Sequence, residues 1–206
     1  ITPRMQCEGK EARDLEWQLL STLVGRELFD DDTPISPTFD IRWDVSVSPF
    51  GIQPHITHPD MKNAQGYHID PVIEDLEEEI DKLKGGSFSV DRKATQERMA
   101  LAQDTFGDIL TPRLVMDSLT GPMTSPIVFL MGMEAYYCSM YDCPEKVHEA
   151  MDMACTVYEK FYDFLEEEKL LLPTNGISPI AQESFAFTTE LPTENVTKTT
   201  LCWGFL

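Results

Sequence analysis

The chain has 206 residues, which is enough for one domain with a hydrophobic core, since domains usually hold ~100–200 residues. It carries 36 acidic and 16 basic side chains, a net charge of −20. This charge excludes nucleic acid and anionic membrane surfaces as partners, because both attract basic proteins. No apolar run approaches the ~20 residues of a membrane span, so the sequence predicts no membrane association.

The five cysteines are odd in number and widely spread, at Cys7, Cys138, Cys143, Cys155 and Cys202. No Cys-x-x-Cys pair occurs among them, and this argues against a disulfide framework and against a local zinc knuckle. The sequence therefore predicts reduced thiols and a cytoplasmic protein.

The first predicted element is a helix over residues 11–29, in which leucines recur at three- and four-residue intervals. The segment that follows is rich in proline, which excludes a continuous helix, and residues 41–47 alternate as an edge strand or hairpin does. We interpret residues 33–88 as an insertion that can fold as a lid, because long proline-punctuated segments in compact domains usually carry function.

From Asp91 onward, helices and apolar strands alternate. Asp91 caps a predicted helix that ends at Gly107, and residues 114–116 form a short strand. Further predicted helices cover 125–140 and 142–165, the latter opened by a pattern like a capping box, and residues 170–172 form a buried strand. This order predicts an α/β protein with a parallel sheet.

Ligands of parallel sheets bind beyond the carboxyl ends of the strands. Asp117 and Asn175 each follow a predicted strand, and Gly121 and Thr124 lie in a turn before a helix. We expect these four residues to share one substrate-binding mouth. An alternative stays open for each group. Asp117 caps an Asx turn instead of binding substrate, and the turn at Gly121 connects a strand to a helix instead of binding an anion.

His55 and His58 lie in the proline-rich segment, between Pro54 and Pro59, with His68 ten residues further on. Histidines bind zinc, but a catalytic zinc needs about three protein ligands and no acidic residue or cysteine completes a recognised spacing here. We expect no metal. The two readings that remain are substrate-binding histidines on a lid and simple surface histidines.

Several segments together resemble the uroporphyrinogen decarboxylase superfamily. These are residues 16–19 (EWQL), 106–110 (FGDIL), 121–124 (GPMT), 143–148 (CPEKVH), 162–165 (YDFL) and 201–205 (LCWGF). The superfamily comprises the decarboxylases and related corrinoid- or zinc-dependent methyltransferases. The resemblance covers residues 11–206, and it is closest to members without an assigned activity.

The resemblance implies a (β/α)8 TIM barrel, for which a typical chain needs ~250 residues. On this basis, residues 1–206 are expected to form one incomplete barrel domain, its first half plus the lid-like insertion at 33–88. Open sheet edges then need a cover, which a homo-oligomer could provide. Trp203 and Phe205 are expected to pack back on the domain or to mark an interface.

The parent protein is accordingly expected to be a corrinoid- or tetrapyrrole-related methyltransferase or a carbon–carbon lyase, inactive as this fragment. Its partners would be a small-molecule substrate or a corrinoid protein, and the full-length parent could use zinc or a corrinoid. The family's arginine segment for propionate groups has no counterpart here, and its zinc ligands fall in the second half of the barrel, so no catalytic residue is assigned. The alternative is a non-catalytic binding or interaction protein derived from the same barrel.

Overall fold

The computed structural model describes residues 2–29, 32–58, 66–116, 119, 121–179 and 185–202. Their secondary structure is mixed α/β. The helices are α1 (Lys10–Phe29), α2 (Leu76–Glu79), α3 (Arg92–Phe106), α4 (Thr124–Met131), α5 (Met133–Asp142) and α6 (Pro144–Glu167), with 3-10 turns at Thr2–Arg4 and Ile80–Lys84. The strands are β1 (Thr38–Arg42), β2 (Val45–Ser48), β3 (His55–Thr57), β4 (His68–Asp70), β5 (Ser87–Val90), β6 (Thr111–Val115), β7 (Ser178–Pro179) and β8 (Phe185–Ala186).

Each strand pairs with one other strand among the described residues. β1 and β6 pair in parallel, whereas β2–β5, β3–β4 and β7–β8 are antiparallel. The parallel pair needs a long crossover, which residues 43–110 provide through the β2–β5 ribbon, the β3–β4 hairpin and α3. No closed barrel forms within this part of the chain.

The parallel pair buries one face against helices. Phe39 and Ile41 on β1 pack with Leu15 of α1 and Ala102 of α3, and Leu114 of β6 lies on the same cluster. Side chains alternate across a strand, so Asp40 and Arg113 project from the opposite face. The α3 helix that covers the apolar face begins as predicted: the Asp91 side chain accepts a hydrogen bond from the Ala94 amide.

The largest core lies among α2, α4, α5, α6 and the Ile80–Lys84 turn. The amphipathic α6 buries six residues, which are Val147, Ala150, Ala154, Val157, Tyr158 and Leu165. Its C-terminal part packs on the β2–β5 ribbon, where the Phe161 and Phe88 rings are 5.2 Å apart. This helix was predicted to pack on the sheet. In the structure its C-terminal part packs on the antiparallel β2–β5 ribbon. The predicted cap at its start is wrong in detail, because no side chain caps the α6 N-terminus.

Two predicted elements differ from the structure. The helix expected over 125–140 is broken at Gly132, whose φ of 79° is left-handed and separates α4 from α5. The expected strand at 170–172 is wrong: Leu170 and Leu171 are buried, but the Leu170 carbonyl accepts from the Trp43 indole and the Leu170 amide bonds Leu165 at the α6 end. The apolar run at 170–172 correctly predicted the burial of Leu170 and Leu171. It could not show whether a neighbouring strand was present to pair with it.

Candidate functional site

A cavity of about 510 Å³ lies between α1, residues 33–36 and β1. Helix α1 contributes Gln18, Thr22 and Arg26, while Ile177 and Phe185 border it from the C-terminal part of the chain. The cavity follows β1 from Thr38 to Arg42. The side-chain amide of Gln18, which lines the cavity, donates to the Asp40 carbonyl over 2.8 Å.

A series of hydrogen bonds connects residues that line this cavity with the parallel β1–β6 pair. The Thr38 hydroxyl donates to Asp40 Oδ1 over 3.0 Å and accepts from the Ser36 hydroxyl 2.7 Å away. Arg113 donates to both Asp40 oxygens over 3.0 Å and also to the Ile177 carbonyl. Charge-assisted, two-pronged contacts of this kind are strong and directional, so the network fixes the polar face of β1.

Within this network, the negative charge of Asp40 is already balanced by the guanidinium of Arg113. It therefore suits binding and orientation better than proton transfer, since a general base needs an accessible lone pair near the substrate. The guanidinium groups of Arg26 and Arg42 line the same cavity, each already engaged in an interaction. Together with the apolar Leu19, these groups suit an amphipathic small molecule that carries a negative group.

The six residues predicted to bind substrate fall in different places. Asp117 lies outside the described residues. Gly121 is exposed in the turn before α4, and a Cβ there would be 2.7 Å from Met123 Cε and 3.2 Å from the Tyr162 hydroxyl. Thr124 is exposed at the first position of α4. The carbonyl of Leu191 accepts from the Asn175 side-chain amide over 2.9 Å, and the Leu191 amide donates back over 3.2 Å.

The Gly121 and Asn175 segments border one apolar cluster. Leu119 precedes the Gly121 turn and packs with Leu171 and Leu201, and the Leu201 carbonyl accepts from the amide of Thr174. The segment that follows α6 runs in the direction opposite to β6. The Leu170 carbonyl contacts Trp43, which follows β1, whereas the Ile177 carbonyl contacts Arg113 within β6. Asn175 thus follows a reversed segment, and its role in substrate binding stays a prediction.

His55 and His58 lie on the β3–β4 hairpin and its loop. His55 Nδ1 is 2.7 Å from Asp70 Oδ2, and His68 Nε2 is 3.3 Å from Asp70 Oδ1. The hydrogen bond with His55 is the main cause that lowers the pKa of Asp70, with a smaller contribution from the charge of His68. The His58 ring is 6.3 Å from Tyr67. The hairpin rests on the α4–α5 junction, where the amide of Val72 donates to the Leu130 carbonyl.

Among the described residues no group of three or more histidine, cysteine, aspartate or glutamate side chains could hold a metal ion. The same residues include no helix with the length and apolarity to cross a bilayer.

No protein-family model, curated protein or solved structure matches this chain. The site is therefore defined by its geometry alone.

Asp40, Arg113 and the α1 side of the cavity were not predicted from the sequence as parts of a site. One signal was present: Thr38, Asp40 and Arg42 alternate with the apolar Phe39 and Ile41 in a strand. A strand buried on both faces is apolar throughout, so this alternation indicates a polar face. The partner of Asp40 could not be predicted from the sequence, because Arg113 is 73 residues away and only the strand register places the two side by side.

Proposed function

We propose that this chain is part of a barrel enzyme similar to the uroporphyrinogen decarboxylase superfamily, a methyltransferase or carbon–carbon lyase that acts on a tetrapyrrole- or corrinoid-related substrate. The observation that carries the proposal is the layering of the β1–β6 pair. Its apolar face packs on helices α1 and α3, and its other face bears Thr38, Asp40 and Arg113. In a (β/α)8 barrel, helices cover the outer face of the parallel strands and the site residues project from the strands on the inner side, towards the carboxyl ends, so this layering supports the proposal.

The cavity beside β1 is the proposed site for one part of the substrate. Arg26 and Arg42 line this cavity, each with a further interaction, in a chain of net charge −20, and their positive charge favours a carboxylate or phosphate of the substrate there. Zinc or a corrinoid would belong to the complete parent protein. The five cysteines form no disulfide, which supports the proposed cytoplasmic location.

Ligand titration of the chain tests this proposal. Uroporphyrin and hydroxocobalamin are added separately while the fluorescence of the three tryptophans is followed. We expect one of them to bind with a Kd of about 10 µM, which corresponds to roughly 7 kcal/mol. Gly25 lines the cavity, and a Cβ at this position meets no atom within 4 Å, so Gly25→Leu should fill part of the cavity and weaken binding.

Gly66→Leu is the matched control, because Gly66 also has open space around its Cβ position and does not line the cavity. The proposed site is wrong if neither compound binds. It is also wrong if both glycine variants bind as the unmodified chain does.

A second function, a non-catalytic binding protein, is favoured by a different observation. The polar groups of Asn175 are engaged by the Leu191 backbone, and both oxygens of Asp40 are engaged by Arg113. Such groups hold the fold rather than act on a substrate. Tight ligand binding by the complete parent protein without turnover would select this function.

A further inference from the structure

An exposed apolar stripe runs along helix α5. We define the α5 face as Met133, Tyr137, Met140 and Tyr141, whose exposed fractions are 60%, 59%, 44% and 89%. Their spacing of four, seven and eight residues places them on one side of the helix. The other side is held in the core by Tyr136 and Ser139, so the orientation of α5 is fixed and the apolar side faces outward.

Carboxylates border this stripe. Glu134 flanks the stripe, and Asp142 is the last residue of α5, about half a turn around the helix from Met133. Both are exposed and form no ion pair with any described residue. Beyond the end of the helix lies the Cys143 thiol. Burial is the main cause that raises its pKa, and the negative charges of Glu77 and Glu145 raise it further. The C-terminal end of a helix is itself partially negative. The α5 face therefore has an acidic flank at Glu134 and an acidic end at the C-terminus of the helix.

This border decides between the kinds of molecule that could cover the face. A second copy of the chain would bring the same carboxylates and another net charge of −20 to the contact. An anionic lipid surface would be repelled in the same way. A helix with an apolar side flanked by lysine or arginine would instead bury the methionines and tyrosines while its cations meet Glu134 and the negative C-terminal end of α5.

We propose that the α5 face is a docking surface for a cationic amphipathic helix of a partner protein. The ten residues of α5 make a helix about 15 Å long, which offers two to three turns for helix-on-helix packing. Methionine adapts its shape to varied partners, and tyrosine supplies contact area at a small entropic cost, so the stripe has the composition of a recognition surface. This docking surface is independent of the proposed cavity site.

The test uses the 206-residue chain and a synthetic helical peptide of leucine and lysine, roughly 14 residues long and labelled with fluorescein. Fluorescence anisotropy should show micromolar binding that weakens as salt is added, because the flanking charges are screened. Tyr137→Ser and Met133→Ser should each weaken binding about tenfold, as expected for large apolar side chains that become buried in an interface. Glu134→Lys should weaken binding of the lysine peptide and strengthen binding of a glutamate peptide with the same leucines.

Ile109→Ser is the matched control, because Ile109 is 84% exposed but lies in the turn after α3. It should bind the peptide as the unmodified chain does. Because the α5 side chains that are changed are all exposed, each variant should keep the thermal midpoint of the unmodified chain. A loss of peptide binding then reports a lost contact and not unfolding. Tyr141→Ser provides an independent variant on the same face.

Three results would overturn the proposal. The first is equal peptide binding by Tyr137→Ser and Ile109→Ser, which would show only general attraction to an acidic protein. The second is a dimer in sedimentation equilibrium that Tyr137→Ser converts to a monomer, which would make a second copy the occupant. The third is binding to anionic vesicles that depends on the α5 face.

Discussion

Asp40 on β1 and Arg113 on β6 lie directly opposite each other in the parallel register and form a two-pronged ion pair, with both contacts at 3.0 Å. Their side chains are only 17% and 29% exposed, so the pair is largely shielded from water. The same guanidinium donates to the Ile177 carbonyl and thereby ties the segment after α6 to the parallel pair. One side chain thus joins three parts of the chain that are far apart in sequence.

Removal of this guanidinium should destabilise the fold. We expect Arg113→Ala to lower the free energy of unfolding by about 2 kcal/mol, because it leaves a largely shielded carboxylate without its cation. Urea denaturation measures the change. Arg98→Ala is the control: its guanidinium is 3.9 Å from Asp44 in an exposed pair, and it should cost less than about 0.5 kcal/mol. Equal losses in both variants would contradict the importance of the Asp40 contact.

Replacement of Gly132 should destabilise the fold through backbone strain. Its φ of 79° and ψ of 155° lie in a region that residues with a Cβ avoid. The space itself is adequate, since a Cβ there would be 3.8 Å from Pro71 Cγ. We therefore expect Gly132→Ala to lower the free energy of unfolding by about 1–3 kcal/mol through strain alone.

Gly25→Ala provides the opposite expectation within the same experiment. Gly25 lies inside α1 with no atom within 4 Å of its Cβ position. Alanine should stabilise this helix by up to about 1 kcal/mol. Thermal or urea unfolding of the two variants should therefore shift in opposite directions, and shifts in the same direction would refute the assigned conformation of Gly132.

The aromatic residues of α6 should divide according to burial. Tyr158 is 6% exposed, and Tyr158→Ala should cost about 3–5 kcal/mol. Phe161 is only half-buried against Phe88, so Phe161→Ala should cost about 2–3 kcal/mol. Tyr141 on α5 is 89% exposed and serves as the tyrosine control, with an expected cost below about 0.5 kcal/mol. An unchanged thermal midpoint for Tyr158→Ala would refute the placement of α6.

Glu79 should make stability depend on acid pH. The Lys82 ammonium and the amides of Glu74 and Asp75 hold the pKa of this carboxyl at about 2, below its ordinary 4.5. A carboxyl with a lowered pKa stabilises the fold above its unfolded pKa, and this contribution is lost as pH falls through the folded pKa. Glu79→Gln should therefore be less stable than the unmodified chain near pH 7. The difference should shrink between pH 4.5 and pH 2, and close below it.

Urea midpoints measured across this pH range give the comparison. Glu97→Gln, in the exposed 3.4 Å pair with Lys93, applies the same chemical change on a surface helix. It should alter stability little at any pH. A Glu79→Gln difference that is independent of pH would contradict the hydrogen bonds assigned to Glu79.

Local patterns were enough to predict the separate helices. The leucine spacing of α1, the Asp91 cap of α3 and the periodicity of α6 are all encoded within a few residues of one another, and the structure confirms these three helices. The break at Gly132 was not predicted, because a glycine within a helical pattern is compatible with a continuous helix as well as with a turn.

Strand pairing and the candidate site were decided by tertiary structure. Burial of Leu170 and Leu171 followed from their apolarity, but the position of Trp43 determines that the Leu170 carbonyl bonds an indole instead of a neighbouring strand. The pairing of Asp40 with Arg113 likewise depends on the register of two strands 73 residues apart. Periodicity determines which side of an element is apolar, because that follows from backbone geometry. Which elements meet depends on how the whole chain packs, and only the tertiary structure could decide that.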